Sequence, residues 1–244
     1  MVSLKRSGRA SRHSFLNSIF FIILFFAAAY ILARSSLFEV REIKVQGNVS
    51  LNRDQIVSIS GLSPGENIFR INLQSASEKL RVIPMIKNVD MTRRLPATVQ
   101  IKVEERKPVA LLPLEAGFIQ IDGEGVYIQK GDIGQDQLPV VTGVQFPAPV
   151  PGGKIVSEGL DLALAVVKGV PAQLLPQLSE INAQGDQAVI YTLDGTQCRL
   201  GVSQDLDQKG EVLMKVLDGL KEKGKKIEYI DLTYAGSPVV KYTE

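Results

Sequence analysis

The carboxylates Glu104-Glu105, Glu115 and Asp122-Glu124 come nearest to a catalytic set in this 244-residue chain. Two carboxyl groups flanking a bond can cleave a glycan, one as acid and the other as base or nucleophile. Nothing around these residues marks a cleft, and a solvated surface is the competing reading. Other chemistries lack their residues. The one histidine is His13 and the one cysteine is Cys198. Beyond residue 13 no Ser-His-Asp or Cys-His arrangement can form, and no zinc site can use imidazole. A single cysteine makes neither a thiolate cluster nor an internal disulfide; it is a small buried apolar residue or a reactive thiol. Ser-x-x-Lys does not occur. Gly219-Leu-Lys-Glu-Lys-Gly224-Lys225 fits Gly-x4-Gly-Lys, but Lys226 stands where the magnesium-binding Ser or Thr belongs. That run closes a helix, with Gly224 as its C-cap and the lysines favoured by the helix dipole. The expectation is a chain with no cofactor, no metal and no enzymatic activity.

Binding chemistry is easier to find. KIEYIDLTY (226–234) and VVKY (239–242) read as a last hairpin around AGSP. Pro238 removes a backbone donor at the entry to the final strand, which suits a sheet edge. An edge strand offers main-chain groups that a partner strand can complete. A frayed chain end is the competing reading.

The elements that position these residues follow from periodicity. Residues 38–107 read as β-α-α-β-β. FEVREIKVQG is a strand ending at Gly47-Asn48. Ser50 or Asn52 caps a short helix with Ile56, Val57 and Ile59 on its apolar face and Gly61 at its end. Asn72 starts a second helix, with Leu73, Ala76, Leu80 and Ile83 at helical spacing and Pro84 as its stop. Val89 and Met91 alternate with polar residues, as do Val99, Ile101 and Val103, so two half-buried strands follow. Pro96 and Pro108 bound the second. Arg93 and Arg94 fall at a strand end and read as structural or exposed, with a partner-facing role as the alternative.

From residue 108 the chain is mostly strand with two helices. VALLPL, GFIQI and GVYIQ are short strands, and LPVVTGV is another. FPAPVPGGK (146–154) is a loop. EGLDLALAVVKGV is an amphipathic helix. EINA, AVIYTL and CRLGV are strands with a turn at 193–196. DLDQKGEVLMKVLDGLKEKG is a second helix, its stripe formed by Leu213, Val216, Leu217 and Leu220. The stripes read as core packing, with a partner groove as the alternative. The fold class expected is α+β.

Residues 15–33 are uncharged, and twelve of these nineteen are Phe, Leu or Ile. At about 1.5 Å per residue they span roughly 28 Å, close to the ~30 Å hydrocarbon core of a bilayer. Lys5, Arg6, Arg9 and Arg12 precede the stretch, and the first acidic residue is Glu39. Basic flanks stay in the cytoplasm, so residues 35–244 are expected outside. A secretory signal cleaved after Ile31–Ala33 is the alternative, although signal cores run only about 7–15 residues. Net charge divides accordingly: +5 over residues 1–34 and −3 over the rest. The basic end is a topology signal that also suits anionic headgroups, and nothing points to nucleic acid or a small-molecule substrate. The expected organisation is a cytoplasmic tail (1–13), a transmembrane helix (14–34), a small domain (38–107) and an extracytoplasmic β domain (108–244).

A β-α-α-β-β domain directly after such a helix resembles a POTRA domain. Pro84-Met-Ile-Lys-Asn-Val89 followed by Arg93-Arg94-Leu95-Pro96-Ala-Thr98-Val99-Gln-Ile101-Lys-Val103-Glu-Glu105-Arg106-Lys-Pro108 resembles the signature of the FtsQ/DivIB family of bacterial division proteins. Ile121-Asp122-Gly123-Glu124-Gly125-Val126, Leu138-Pro139-Val140-Val141-Thr142-Gly143 and the tail Tyr229-Ile230-Asp231-Leu232-Thr233-Tyr234 agree with it. Thr233 stands where the family tail commonly has Arg. The resemblance covers the whole chain. It implies a single-pass, non-catalytic divisome scaffold in the cell membrane at the septum, docking FtsB/DivIC-like and FtsL-like proteins. The tail residues Tyr234, Ser237, Val239, Val240 and Lys241 would carry the contact. The rival readings are another POTRA-type secretion or assembly factor, and a membrane-anchored wall hydrolase. The first of these normally continues into a long membrane barrel, for which about 137 residues with two helices leave no room.

Overall fold

The structure is a computed structural model describing residues 10–134, 136–221 and 227–242. It is an α+β chain whose contacts divide into two compact units, residues 1–81 with 88–104, and residues 82–87 with 105–244.

The first unit begins with α1 (Ala10–Ala33). Its segment Phe15–Ala33 is long and apolar enough to cross a membrane, and none of it is buried by protein. A helix apolar all round needs an apolar medium around it, which a bilayer supplies. Beyond it lie β1 (Glu42–Gln46), α2 (Arg53–Ser60), α3 (Leu73–Arg81), β2 (Ile86–Arg94) and β3 (Thr98–Glu105). Asn52 is the cap of α2: its side chain accepts from Asp54 N–H at 3.0 Å, while Gln55 Oε1 accepts from Asn52 N–H at 3.2 Å. Gly61 ends the helix at φ 71°, a conformation that favours glycine. The expected apolar face of α2 is partly corrected. Ile56 is fully buried, but Ile59 is exposed and Ser60 takes the inward position. Asn72 accepts from Ser75 N–H at 3.0 Å at the start of α3. That helix stops at Arg81 rather than Ile83, because Pro84 disfavours helical backbone just before it.

The three strands run in the order β1-β3-β2, with β1 parallel to β3. Val99, Ile101 and Val103 point inward, as their alternation requires. In β2 the alternation is weaker: Val89 is buried and Met91 only half-buried. Arg93 reaches back to donate to Ile68 C=O at 2.8 Å and to Ile71 C=O at 2.6 Å.

The second unit is one nine-stranded sheet in the order β12-β11-β10-β9-β8-β7-β4-β5-β6. Its strands are β4 (Pro108–Leu114), β5 (Gly117–Asp122), β6 (Tyr127–Gly131), β7 (Val140–Thr142), β8 (Leu178–Gln184), β9 (Gln187–Thr192), β10 (Gln197–Gly201), β11 (Ile227–Asp231) and β12 (Val239–Tyr242). Two helices are inserted, α4 (Glu158–Gly169) between β7 and β8 and α5 (Leu206–Lys221) between β10 and β11. Both flanked pairs are parallel, and a parallel pair needs such a crossover. Leu160, Ala163 and Val167 of α4 and Leu213 and Leu217 of α5 meet Val141, Ile181, Ile190, Leu200 and Ile230 in one core. Strand β7 is shorter than its apolar run. Gly143 ends it at φ 76°, where a Cβ would lie 2.6 Å from Ala183 O. Gly219 lies inside α5, not in a phosphate-binding loop. Gly224, Lys225 and Lys226 fall outside the described residues.

Candidate partner-docking edge

The last hairpin forms the rim of this sheet. Strand β11 is held on its inner side by β10, with Gln197 opposite Tyr229, Cys198 opposite Ile230 and Arg199 opposite Asp231. Strand β12 pairs with β11 antiparallel, Val240 opposite Ile230, Lys241 opposite Tyr229 and Val239 opposite Asp231. Among the described residues β12 is the terminal strand of the sheet. Side chains alternate as a half-covered edge demands. Val240 packs against the core, while Val239 exposes 56% of its surface.

Lys241 and Tyr229 share one face. The Tyr229 ring has Arg199 Cζ 4.6 Å from its centroid and Lys241 Nζ 5.8 Å from it. Lys241 also reaches Glu228 at 2.8 Å. This hydrogen bond and charge raise the lysine's pKa. The pair is solvent-exposed, so its value lies in orientation more than in stability.

The turn between the strands is fixed at both ends. Leu232 is fully buried and donates its N–H to Arg199 C=O at 2.8 Å. Asp231 accepts from Thr233 N–H at 2.9 Å. Hydrogen bonds from Thr233, first from its backbone, hold the Asp231 carboxyl below the usual range, and Arg199 adds to the effect. Ser237 N–H closes the turn on Tyr234 C=O at 3.2 Å. Tyr234 projects from it with 77% of its surface exposed, so it does not pack in the β domain. Beside it lies an open groove of 540 Å³ whose lining includes Val202, Asp205, Lys209, Thr233 and Tyr234. Lys209 is buried at the base of α5, with its ammonium donating to Leu200 C=O at 2.7 Å and Val202 C=O at 3.2 Å. Burial lowers its pKa.

All five tail residues singled out from sequence therefore sit on one hairpin. Arg199, Glu228, Asp231 and Lys209 were missed. Glu228 stands next to Tyr229, the cross-strand partner of Lys241, at a register shift the sequence does not mark. Arg199 was not findable either, because it reaches Tyr229 through a parallel pairing across α5.

The candidate catalytic carboxylates serve other contacts. Asp122 Oδ2 accepts from Arg106 at 2.5 Å, and its Oδ1 accepts from Glu124 and Val126 N–H, both at 2.9 Å. Arg106 also bonds Glu124 at 3.2 Å. Glu115 lies exposed in the β4–β5 turn. Cys198 is fully buried in β10, and desolvation, aided by the Asp194 charge, pushes its thiol up to about 12.

An N-terminal apolar helix, a β-α-α-β-β unit and a β-rich unit ending in an open edge define a POTRA-bearing protein. Residues 38–106 match the family model described as POTRA domain, FtsQ-type. Cell division protein FtsQ of Geotalea daltonii is 30% identical over 220 residues, covering 86% of this chain and 78% of that protein. FtsQ of Syntrophotalea carbinolica is 28% identical over 222 residues, 88% of this chain and 77% of that protein. Cell division protein DivIB of Clostridium botulinum is 24% identical over 229 residues, 91% and 88%. The chain belongs to the FtsQ/DivIB family of bacterial cell division proteins. The extracytoplasmic domain of DivIB from Geobacillus stearothermophilus overlaps 43% of this chain and 85% of that chain at 17% identity. Its TM-score is 0.32, too loose to compare positions.

Proposed function

We propose that this chain is a non-catalytic, membrane-anchored scaffold of the divisome. Helix α1 crosses the cell membrane with the amino terminus cytoplasmic, and residues 35–244 work outside it at the septum. The β-rich domain, taken from residue 108, receives an extended segment of a small FtsB/DivIC-like membrane partner along β12, and an FtsL-like protein joins the same assembly. One observation carries the reading: the sheet ends in β12, with exposed Val239 on the strand and exposed Tyr234 on the adjoining turn. Main-chain groups of the edge would supply affinity, and side chains at Tyr234, Ser237, Val239, Val240 and Lys241 selectivity.

The test is capture of membrane partners by the full chain and by a chain lacking residues 239–244. That cut removes β12 and spares the fully buried Ile230 and Leu232. Loss of an FtsB/DivIC-like partner, with the fold retained and the melting temperature lowered only by the lost β12 ladder and Val240 packing, is the expected result. Equal capture by both chains would overturn the docking edge.

A further inference from the structure

The first unit carries a second exposed apolar surface, at the other end from the sheet edge in sequence. After α1 the chain makes a 3-10 turn, Ser36–Phe38, and then runs beside residues 65–68. Ile68 N–H donates to Phe38 C=O, Val40 N–H to Glu66 C=O and Gly65 N–H to Val40 C=O, each at 2.8 Å. The amide of Asn67 donates to the carbonyl of Ala33, the last residue of α1, at 2.8 Å, and its Oδ1 accepts from Phe69 N–H at 3.1 Å. Arg93 holds the same loop through Ile68 and Ile71. A brace therefore ties this loop to the end of the helix. On it sit Phe38 and Phe69, ring centroids 5.0 Å apart, with Leu37 beside them in sequence. Leu37 exposes 46% and Phe69 48% of their surfaces.

Covalent reach sets their depth. Leu37 is four residues past Ala33, so at most ~14 Å away if extended; the 3-10 turn rises only about 2 Å per residue. The headgroup layer adds about 5–7 Å per leaflet to the hydrocarbon core. With α1 ending at the hydrocarbon boundary, these side chains fall at headgroup level. Arg34 lies over the Tyr30 ring at 4.6 Å, and aromatic and basic residues are the usual occupants of that layer. Charge does not supply the attraction. Arg34, Arg41 and Arg70 are matched by Glu39, Glu42 and Glu66 in the same segments.

We propose that Leu37, Phe38 and Phe69 form an apolar foot that seats the POTRA domain among phospholipid headgroups at the outer end of α1. The occupant is the glycerophospholipid interface itself, zwitterionic or anionic. The inference rests on the reading of α1 as a membrane anchor, and its test separates the two. The chain has no tryptophan, so Phe69→Trp, Leu37→Trp and Phe25→Trp each install a single reporter. The full chain is reconstituted in phosphatidylcholine vesicles with and without lipid carrying brominated acyl chains. Bromine should quench Phe25→Trp and lower the emission of either or both of the foot reporters. Replacing a third of the lipid with phosphatidylglycerol, or raising salt, should leave the quenching unchanged. Quenching at Phe25→Trp with none at Leu37→Trp or Phe69→Trp overturns the foot and leaves the anchor standing. No quenching at Phe25→Trp removes the anchor and the foot with it. Loss of foot quenching in high salt overturns its apolar basis.

Discussion

A tyrosine with 77% of its surface in solvent contributes little to its own fold, which makes Tyr234 a clean probe of contact. Tyr234→Ala should leave the melting temperature within a degree or two and weaken partner binding by on the order of 2 kcal/mol, roughly thirtyfold, if it is an interface anchor. Paired calorimetric melting and affinity measurements check this, and a large fall in melting temperature would return the residue to a structural role. Asp231 makes a pH-dependent prediction. Its folded pKa lies below its unfolded value of about 3.9, so its stabilisation is complete above that value and is lost as pH falls through the folded pKa. The melting-temperature gap between the native chain and Asp231→Asn should be widest near neutral pH and should narrow in acid below about pH 4. Cys198, with its thiol raised to about 12 and no exposed surface, should resist thiol reagents at pH 8 until the chain is denatured. Of the two readings the sequence left open for a lone cysteine, the small buried apolar residue is the one found. The Asp231 turn was not legible, since Asp231 and Thr233 two residues apart have the spacing of an Asx turn but no fixed geometry until the hairpin forms.

Elements were legible where local periodicity dominates. Val99, Ile101 and Val103 alternate so strictly that their inward direction follows from spacing, and Ile101 is fully buried. Ile101→Asp should bury an unpaired charge at a cost of about 3 kcal/mol or more and unfold the POTRA domain. Residues 38–107 expressed alone should show one cooperative melt that this substitution abolishes; an unchanged melt would mean a shifted register. The capping box of α2 is a milder case. Asn52→Ala should cost about 1 kcal/mol, a fall of some 4–8 °C in a domain of this size. The short helices were harder to delimit. Ile59 fits the spacing of an apolar face, yet eight residues make barely two turns, and tertiary packing chose Ile56 and Ser60 instead. Both parallel crossovers through α4 and α5 lay beyond sequence reasoning. Pairing partners separated by a helix leave no local mark, and the pairing of β10 with β11 is what brings Arg199 to Tyr229.

For the whole molecule, topology is the testable property. A reporter fused at the carboxyl terminus should be active only outside the cytoplasm, and the mature protein should retain residues 1–33. A soluble form beginning near Arg34 would favour a cleaved signal. The order of pairing in the first sheet also has a consequence in time. Glu42 pairs with Thr98 and Gln46 with Lys102, so the first strand synthesised waits for the last. At about 5–20 residues per second, the delay between them is on the order of 3–11 s. Throughout that interval β1 follows α1 with its main-chain hydrogen bonds to β3 unmade. The nascent chain is therefore most open to mispairing between the synthesis of β1 and that of β3. Slowing translation between residues 46 and 98 should lengthen that window without changing the finished protein.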